Sequence, residues 1–288
     1  MAPIIKPADS PYHSIGVRRV AGALGAEVSG VDLAQPLEKE TVAEIRRAFL
    51  ENLVIFFRGQ ALTLAQYMAF ARSMGTPVEY PFVKGLPEYP QIIEVKKLEH
   101  EKVNFGGVWH SDTAYLDAPP MGSMLLARET PPYGGDTLFA NQYLAYESLS
   151  EGLRKTLEGL TAVNSSARAD VSKTREDRLK SDGREGAPSR YDAGHPVVRT
   201  HPQTGRRALY VNGAHTAHFT GWTEEESAPL LNFLFQHQVR PEFTCRFVWQ
   251  PGSIAFWDNR CAQHNPVNDY HGFRRVMHRI TLEGEVPR

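Results

Sequence analysis

What most limits this chain is a succession of short strand candidates in its second half, each cut off by turn residues. "EFTCRFVW" alternates, with Phe243, Cys245, Phe247 and Trp249 on one face. "QPGS" turns it into "IAFWDN", and "RRVMHRITL" is the last strand candidate. "HPVVRTH", the turn "PQTG" and "RRALYVN" read as a hairpin, while "NLVIFFRG" is a buried apolar run. Helical patterns are fewer. Leu37 to Leu53 spaces Val42, Ile45, Phe49 and Leu53 on one face. Thr63 with Gln66, and Thr223 with Glu226, have capping-box spacing, and a short helix starts near Ser150. Many strands, short turns and helices outside predict a mainly β fold with flanking helices, a sandwich or barrel. With 288 residues and no internal repeat, the expectation is one domain over 1–288.

One segment stands apart. Residues 165–194 are rich in charge and poor in apolar side chains, so they cannot bury much. They read either as a solvated surface loop or as a lid insert over a site. The formal net charge of −1 provides no basic field for nucleic acid. Two cysteines make no disulfide framework, which points to a reducing, cytoplasmic setting. No stretch approaches the length of a membrane span, and the N-terminus lacks a signal peptide's apolar core.

The chemistry begins with "WHSDTAY". If this is a strand, His110 and Asp112 point the same way and can close on one cation. Alone, the pair reads equally as ordinary hydrogen-bonding residues on a strand face. Two imidazoles and one carboxylate with open positions form the facial triad of non-haem Fe(II) oxygenases, so a second histidine should come from a distant strand end. His264, in "WDNRCAQHNPVNDY" between two strand candidates, is better placed than His13, His100, His237, His271 or His278. In "RRVMHRI", parity puts Arg275 and Arg279 on one face and Arg274 with His278 on the other. Two arginines beside a metal candidate suit anions, since the guanidinium fork matches a carboxylate. A metal plus a carboxylate-binding arginine is what a chelating keto-diacid needs. The same ligands can also hold Zn²⁺ for hydrolysis. A non-catalytic β-barrel binding module is a third reading.

"GALGAEVSGVDLAQPL", "WHSD", "GGDT", "HPVVRTHPQTGRRALYVN", "WDNRCAQH" and "RRVMHR" occur in this order along nearly the whole chain. In these motifs the sequence resembles the taurine dioxygenase and 2,4-dichlorophenoxyacetate dioxygenase group of Fe(II)/2-oxoglutarate-dependent oxygenases. The resemblance implies a double-stranded β-helix, or jelly roll, with helical buttresses. It implies that His110, Asp112 and His264 bind Fe(II), and that 2-oxoglutarate and O₂ take the remaining positions. It gives the far carboxylate of 2-oxoglutarate to Arg275 with Thr137, and places Arg279 near the inner carboxylate or a substrate anion. Succinate and CO₂ would leave while a C–H bond of a small organic acid is hydroxylated. The acid would be a sulfonate, an aryloxyalkanoate or an alkyl sulfate. Two positions that contact taurine in the taurine enzyme correspond to Val78 and Gly106, which argues against taurine itself. His215 of "NGAHTAH" corresponds to a histidine linked to the substrate carboxylate in the aryloxyacetate enzyme; it also reads as a loop histidine in water. Tyr80, Phe82, Phe105 and Tyr115 read as pocket walls or as core. A homo-oligomer, dimer or tetramer, is expected.

Overall fold

Val54–Phe57 shows why the core has two sides. All four residues are buried, Ile55 and Phe57 facing one cluster and Val54 and Phe56 another. Ile254–Asp258 and Gly122–Glu129 divide in the same way, with Phe256 and Met124 on the first side and Trp257 and Leu125 on the second. A strand covered on both faces has no wet side, so its sequence reads as a continuous apolar run. The computed structural model describes residues 12–104, 106–168 and 190–288.

These strands lie at the centre of an eight-stranded sheet. Its order is Gly16–Arg19, Ala26–Ser29, Val54–Phe57, Ile254–Asp258, Gly122–Glu129, Arg275–Leu282 and Pro77–Val78, with Ile92–Lys97 also paired to Arg275–Leu282. The helices Lys39–Asn52 and Leu64–Met74 cover one face, where Phe49 stacks on Phe256 at 4.0 Å between ring centroids. The other face packs on a three-stranded sheet of Thr244–Phe247, Thr137–Asn141 and Ala262–Pro266. There Phe56 stacks on Phe247 at 4.0 Å. Two sheets face to face with helices on the outer side make the jelly roll that the sequence led us to expect.

The local signals hold in detail. Both reciprocal bonds of the capping box form at Thr63–Gln66, and again at Thr223–Glu226, which starts the helix Glu224–His237. Ser150 caps Glu151–Glu158. The expected hairpin is Val198–Thr200 paired with Arg207–Leu209. The charged insert is shorter than expected at both ends, because Thr161–Ser165 pairs with Asp192–Pro196. Ser165 and Asp192 are register partners, so the chain leaves and returns at neighbouring points. Residues 169–189, and with them the expected lid, lie outside the described residues. Among the described residues no helix is long and apolar enough to cross a membrane.

The turn after Trp257 rests on a buried charge pair. Asp258 accepts from Arg260 Nε at 2.8 Å and Nη2 at 2.7 Å, and from His201 Nε2 at 3.0 Å. His201 Nδ1 accepts the backbone N–H groups of Gln203 and Thr204, so its proton sits on Nε2. Burial alone would raise the Asp258 carboxyl; Arg260 and His201 outweigh it and hold the group below the usual carboxylate range. Asp258→Ala strands a buried guanidinium and is expected to cost about 3–5 kcal/mol of stability. Urea unfolding checks this, with the midpoint falling at unchanged slope.

Candidate active site

His110 and His264 are brought together by backbone pairing rather than by a shared strand. Each donates its N–H to the other's carbonyl, at 3.1 and 2.9 Å. Residues paired directly across an antiparallel ladder share a face, so the two imidazoles lie side by side with centroids 4.2 Å apart. His264 sits on Ala262–Pro266, opposite Phe139. His110 is held from the other side: its Nδ1 donates to the Val108 carbonyl at 2.7 Å, which leaves the Nε2 lone pair facing the site. Gly106, with φ +76°, packs on the same ring; a Cβ there would lie 3.0 Å from His110 Cε1.

Asp112 corrects the strand reading of "WHSDTAY". Only His110 makes a ladder contact, and the chain then turns, with Thr113 at φ 43° and Leu116 N–H donating to the Thr113 carbonyl. Alternation therefore does not bring the carboxylate to the histidines; the turn does. Three side chains keep it there. Asn259 Oδ1 accepts the Asp112 N–H at 3.3 Å, and Asn259 Nδ2 donates to Ser123 Oγ at 3.1 Å. Ser123 in turn donates to Asp112 Oδ2 at 2.6 Å. Arg279 Nη2 lies 2.8 Å from Oδ1. Sequence reasoning missed Ser123. The sole hydroxyl in "GSMLLARE", fully buried, was the available signal.

The three side chains present a nitrogen, a nitrogen and an oxygen to one point. Asp112 Oδ1 lies 3.7 Å from His110 Nε2 and 3.8 Å from His264 Nε2. Two ligands each about 2.1 Å from one cation can be at most about 4.2 Å apart, so both pairs fit a single transition metal. Electrostatics agrees. Burial keeps both imidazoles neutral, His110 lowered and His264 well below its ordinary value. Burial would raise Asp112, but the Arg279 guanidinium and the Ser123 hydroxyl outweigh it and hold the carboxyl ionised. Neutral imidazoles and an ionised carboxylate are the ligand forms that Fe(II) requires.

Beside the triad the inner face of Arg275–Leu282 carries the two arginines. Strand parity holds: Arg275 and Arg279 are each 5% exposed, whereas Arg274 is exposed and meets Glu99 at 3.4 Å. Arg275, Thr137, Trp249 and Val95 line one pocket with His110, His264 and Arg279. Trp249 Nε1 donates to Thr137 Oγ at 3.0 Å, which leaves the hydroxyl proton to give elsewhere. Arg275 lies over the Trp249 ring at 5.6 Å, and its Nε and Nη2 have no acceptor among the described residues. A buried guanidinium with two open nitrogens beside a donor hydroxyl fits a carboxylate.

The remaining candidates divide. His215 is 4% exposed, 4.8 Å from the Tyr115 ring and 5.9 Å from His110, so it is no loop histidine in water. Tyr80, Phe82 and Tyr115 form a buried aromatic cluster, and Arg279 lies 5.2 Å over the Tyr80 ring. Val78 pairs with Thr281 and lines a separate cleft of about 200 Å³ with Thr113, Leu116 and Pro120. Phe105 lies outside the described residues.

The family model of the taurine catabolism dioxygenase TauD, TfdA family matches residues 16–281. The chain is 37% identical to an alkylsulfatase of Acinetobacter baylyi, over 96% of this chain and 87% of that one. It is 36% identical to an alpha-ketoglutarate-dependent sulfate ester dioxygenase of Pseudomonas putida, over 95% and 91%. The crystal structure of a taurine dioxygenase from Burkholderia xenovorans superposes with a TM-score of 0.81 at 38% identity, covering 96% of this chain and 93% of that one. The zinc-hydrolase and binding-module alternatives find no support among these relatives. The chain belongs to the TauD, TfdA dioxygenase family, and with that membership come Fe(II), 2-oxoglutarate, O₂ and a small-molecule substrate.

Proposed function

We propose that this dioxygenase acts on an alkyl sulfate, with His110, Asp112 and His264 holding the metal. One observation carries the substrate class: the near-full-length relatives at 37% and 36% identity bear the names alkylsulfatase and sulfate ester dioxygenase. The site agrees with a sulfate head on an apolar body. Arg279 Nε has no acceptor among the described residues, and His215 lies beside His110. Tyr80, Phe82 and Tyr115 supply an apolar wall. Gly106, against the His110 ring, presents no polar side chain to the substrate, while Val78 lies in a separate cleft.

When bound, Fe(II) with 2-oxoglutarate and O₂ supplies the oxidant that replaces one C–H hydrogen by hydroxyl. The chain's residues do the rest. Arg275 and the Thr137 hydroxyl grip the distal carboxylate of 2-oxoglutarate and so set the orientation of its oxo-acid end. Arg279 keeps Asp112 turned to the histidines and offers Nε to an anion beside them. The aromatic wall excludes water and aims the carbon that bears the sulfate oxygen. Hydroxyl on that carbon makes an unstable sulfate hemiacetal. Its C–O bond to sulfate breaks as the hydroxyl proton leaves, giving an aldehyde and free sulfate, with succinate and CO₂ from the co-substrate. We place the enzyme in the cytoplasm, in keeping with two buried free thiols, Cys245 and Cys261. We propose that it works alone on small molecules, with neither nucleic acid nor membrane, as a homo-oligomer.

The test is a substrate panel of hexyl sulfate, taurine and 2,4-dichlorophenoxyacetate. Succinate, aldehyde and sulfate should appear one to one to one with hexyl sulfate. Succinate at background with hexyl sulfate, but coupled to product with either of the others, contradicts the substrate class.

A further inference from the structure

Lys97 ends the strand Ile92–Lys97 and is the register partner of Arg275. Directly paired residues share a face, so both side chains rise from the same side of the sheet. Val95, two residues earlier on that face, lines the metal-side pocket. Lys97 is 3% exposed, and its Nζ has no hydrogen-bond partner among the described residues. The ammonium lies over the Tyr270 ring, 4.4 Å from its centroid. Tyr270 donates to Asn104 Oδ1 at 2.7 Å. Tyr270 bonds Arg275 and the Asp136 carboxylate acts on it, but Asp136 pairs through Oδ2 with Arg246 at 2.6 Å. Among the described residues neither Lys97 nor Arg275 forms an ion pair, an arrangement that costs stability until an anion arrives.

We propose that Lys97 is a second cation of the 2-oxo diacid site, placed so that its ammonium joins Arg275 and Thr137 on the distal carboxylate. This inference rests on the assignment of Arg275 and Thr137 to that carboxylate. Lys97 then makes the site selective for a 2-oxo acid with a second carboxylate, because a monoacid leaves two buried charges unanswered.

The experiment is calorimetric titration of Mn(II)-loaded enzyme with 2-oxoglutarate and with 2-oxopentanoate, which has the same five carbons but no distal carboxylate. Lys97→Met keeps the stem and removes the charge. It should weaken 2-oxoglutarate by on the order of tenfold or more and leave 2-oxopentanoate unchanged. The metal-free variant should melt no lower than the parent, since an unneutralised buried charge is gone. Lys97→Arg should recover most of the diacid affinity. The inference is overturned if Lys97→Met binds 2-oxoglutarate normally while Arg275→Ala does not. It is also overturned if Lys97→Met melts lower and weakens both ligands alike, the mark of a packing role. Normal 2-oxoglutarate binding by Arg275→Ala is a different failure, that of the distal-site assignment itself.

Discussion

Asp112→Ala is expected to lose both the metal and several kcal/mol of stability. The carboxylate is one of three converging ligands, and two imidazoles alone hold Fe(II) poorly. It is also the counter-charge for Arg279, 2.8 Å away and buried. Removing one partner of a buried pair leaves the other uncompensated, at a cost of about 3–5 kcal/mol. His264→Ala should lose the metal to the same degree without stranding a charge. Metal content per chain after Fe(II) loading should therefore fall to near zero in both variants. Thermal melting of the metal-free proteins should separate them, with Asp112→Ala clearly the lower. Equal melting would mean that Arg279 does not depend on Asp112.

Arg275→Ala should raise the KM for 2-oxoglutarate well over tenfold, by about 2 kcal/mol or more. Arg275 offers Nε and Nη2 with no acceptor, in a pocket that also holds the two histidines. Arg275→Lys should recover only part, because an ammonium cannot reproduce the two-pronged contact. Arg274→Ala should change little, since that side chain is exposed and meets only Glu99 among ion-pair partners of the described residues. The dependence of succinate formation on 2-oxoglutarate, measured for all three variants, decides it. A damaging Arg274→Ala would contradict the strand register.

Much of this was legible along the chain because its causes are local. Capping boxes at Thr63 and Thr223 need only four residues. The opposite fates of Arg274 and Arg275 follow from strand alternation once the strand is recognised. The turn at Asp112 was not legible. Its carboxylate is aimed by Ser123, Asn259 and Arg279, up to 167 residues away (279 minus 112), through bonds that no spacing rule encodes. A strand pattern and a turn pinned by distant side chains look alike in seven letters. Lys97 escaped notice for the opposite reason: a lysine at a strand end ordinarily reads as solvated. Only its pairing with Arg275 places it in the interior.

Fe(II) and 2-oxoglutarate should meet at His110, Asp112 and His264. Visible absorption of Fe(II)-loaded enzyme titrated anaerobically with 2-oxoglutarate reads this out directly. A metal-to-ligand charge-transfer band should saturate at one 2-oxoglutarate per chain in the parent. The same band should be absent from the His110→Ala, Asp112→Ala and His264→Ala variants. A parent enzyme that binds iron but develops no band, or a band that survives all three substitutions, would contradict this assignment.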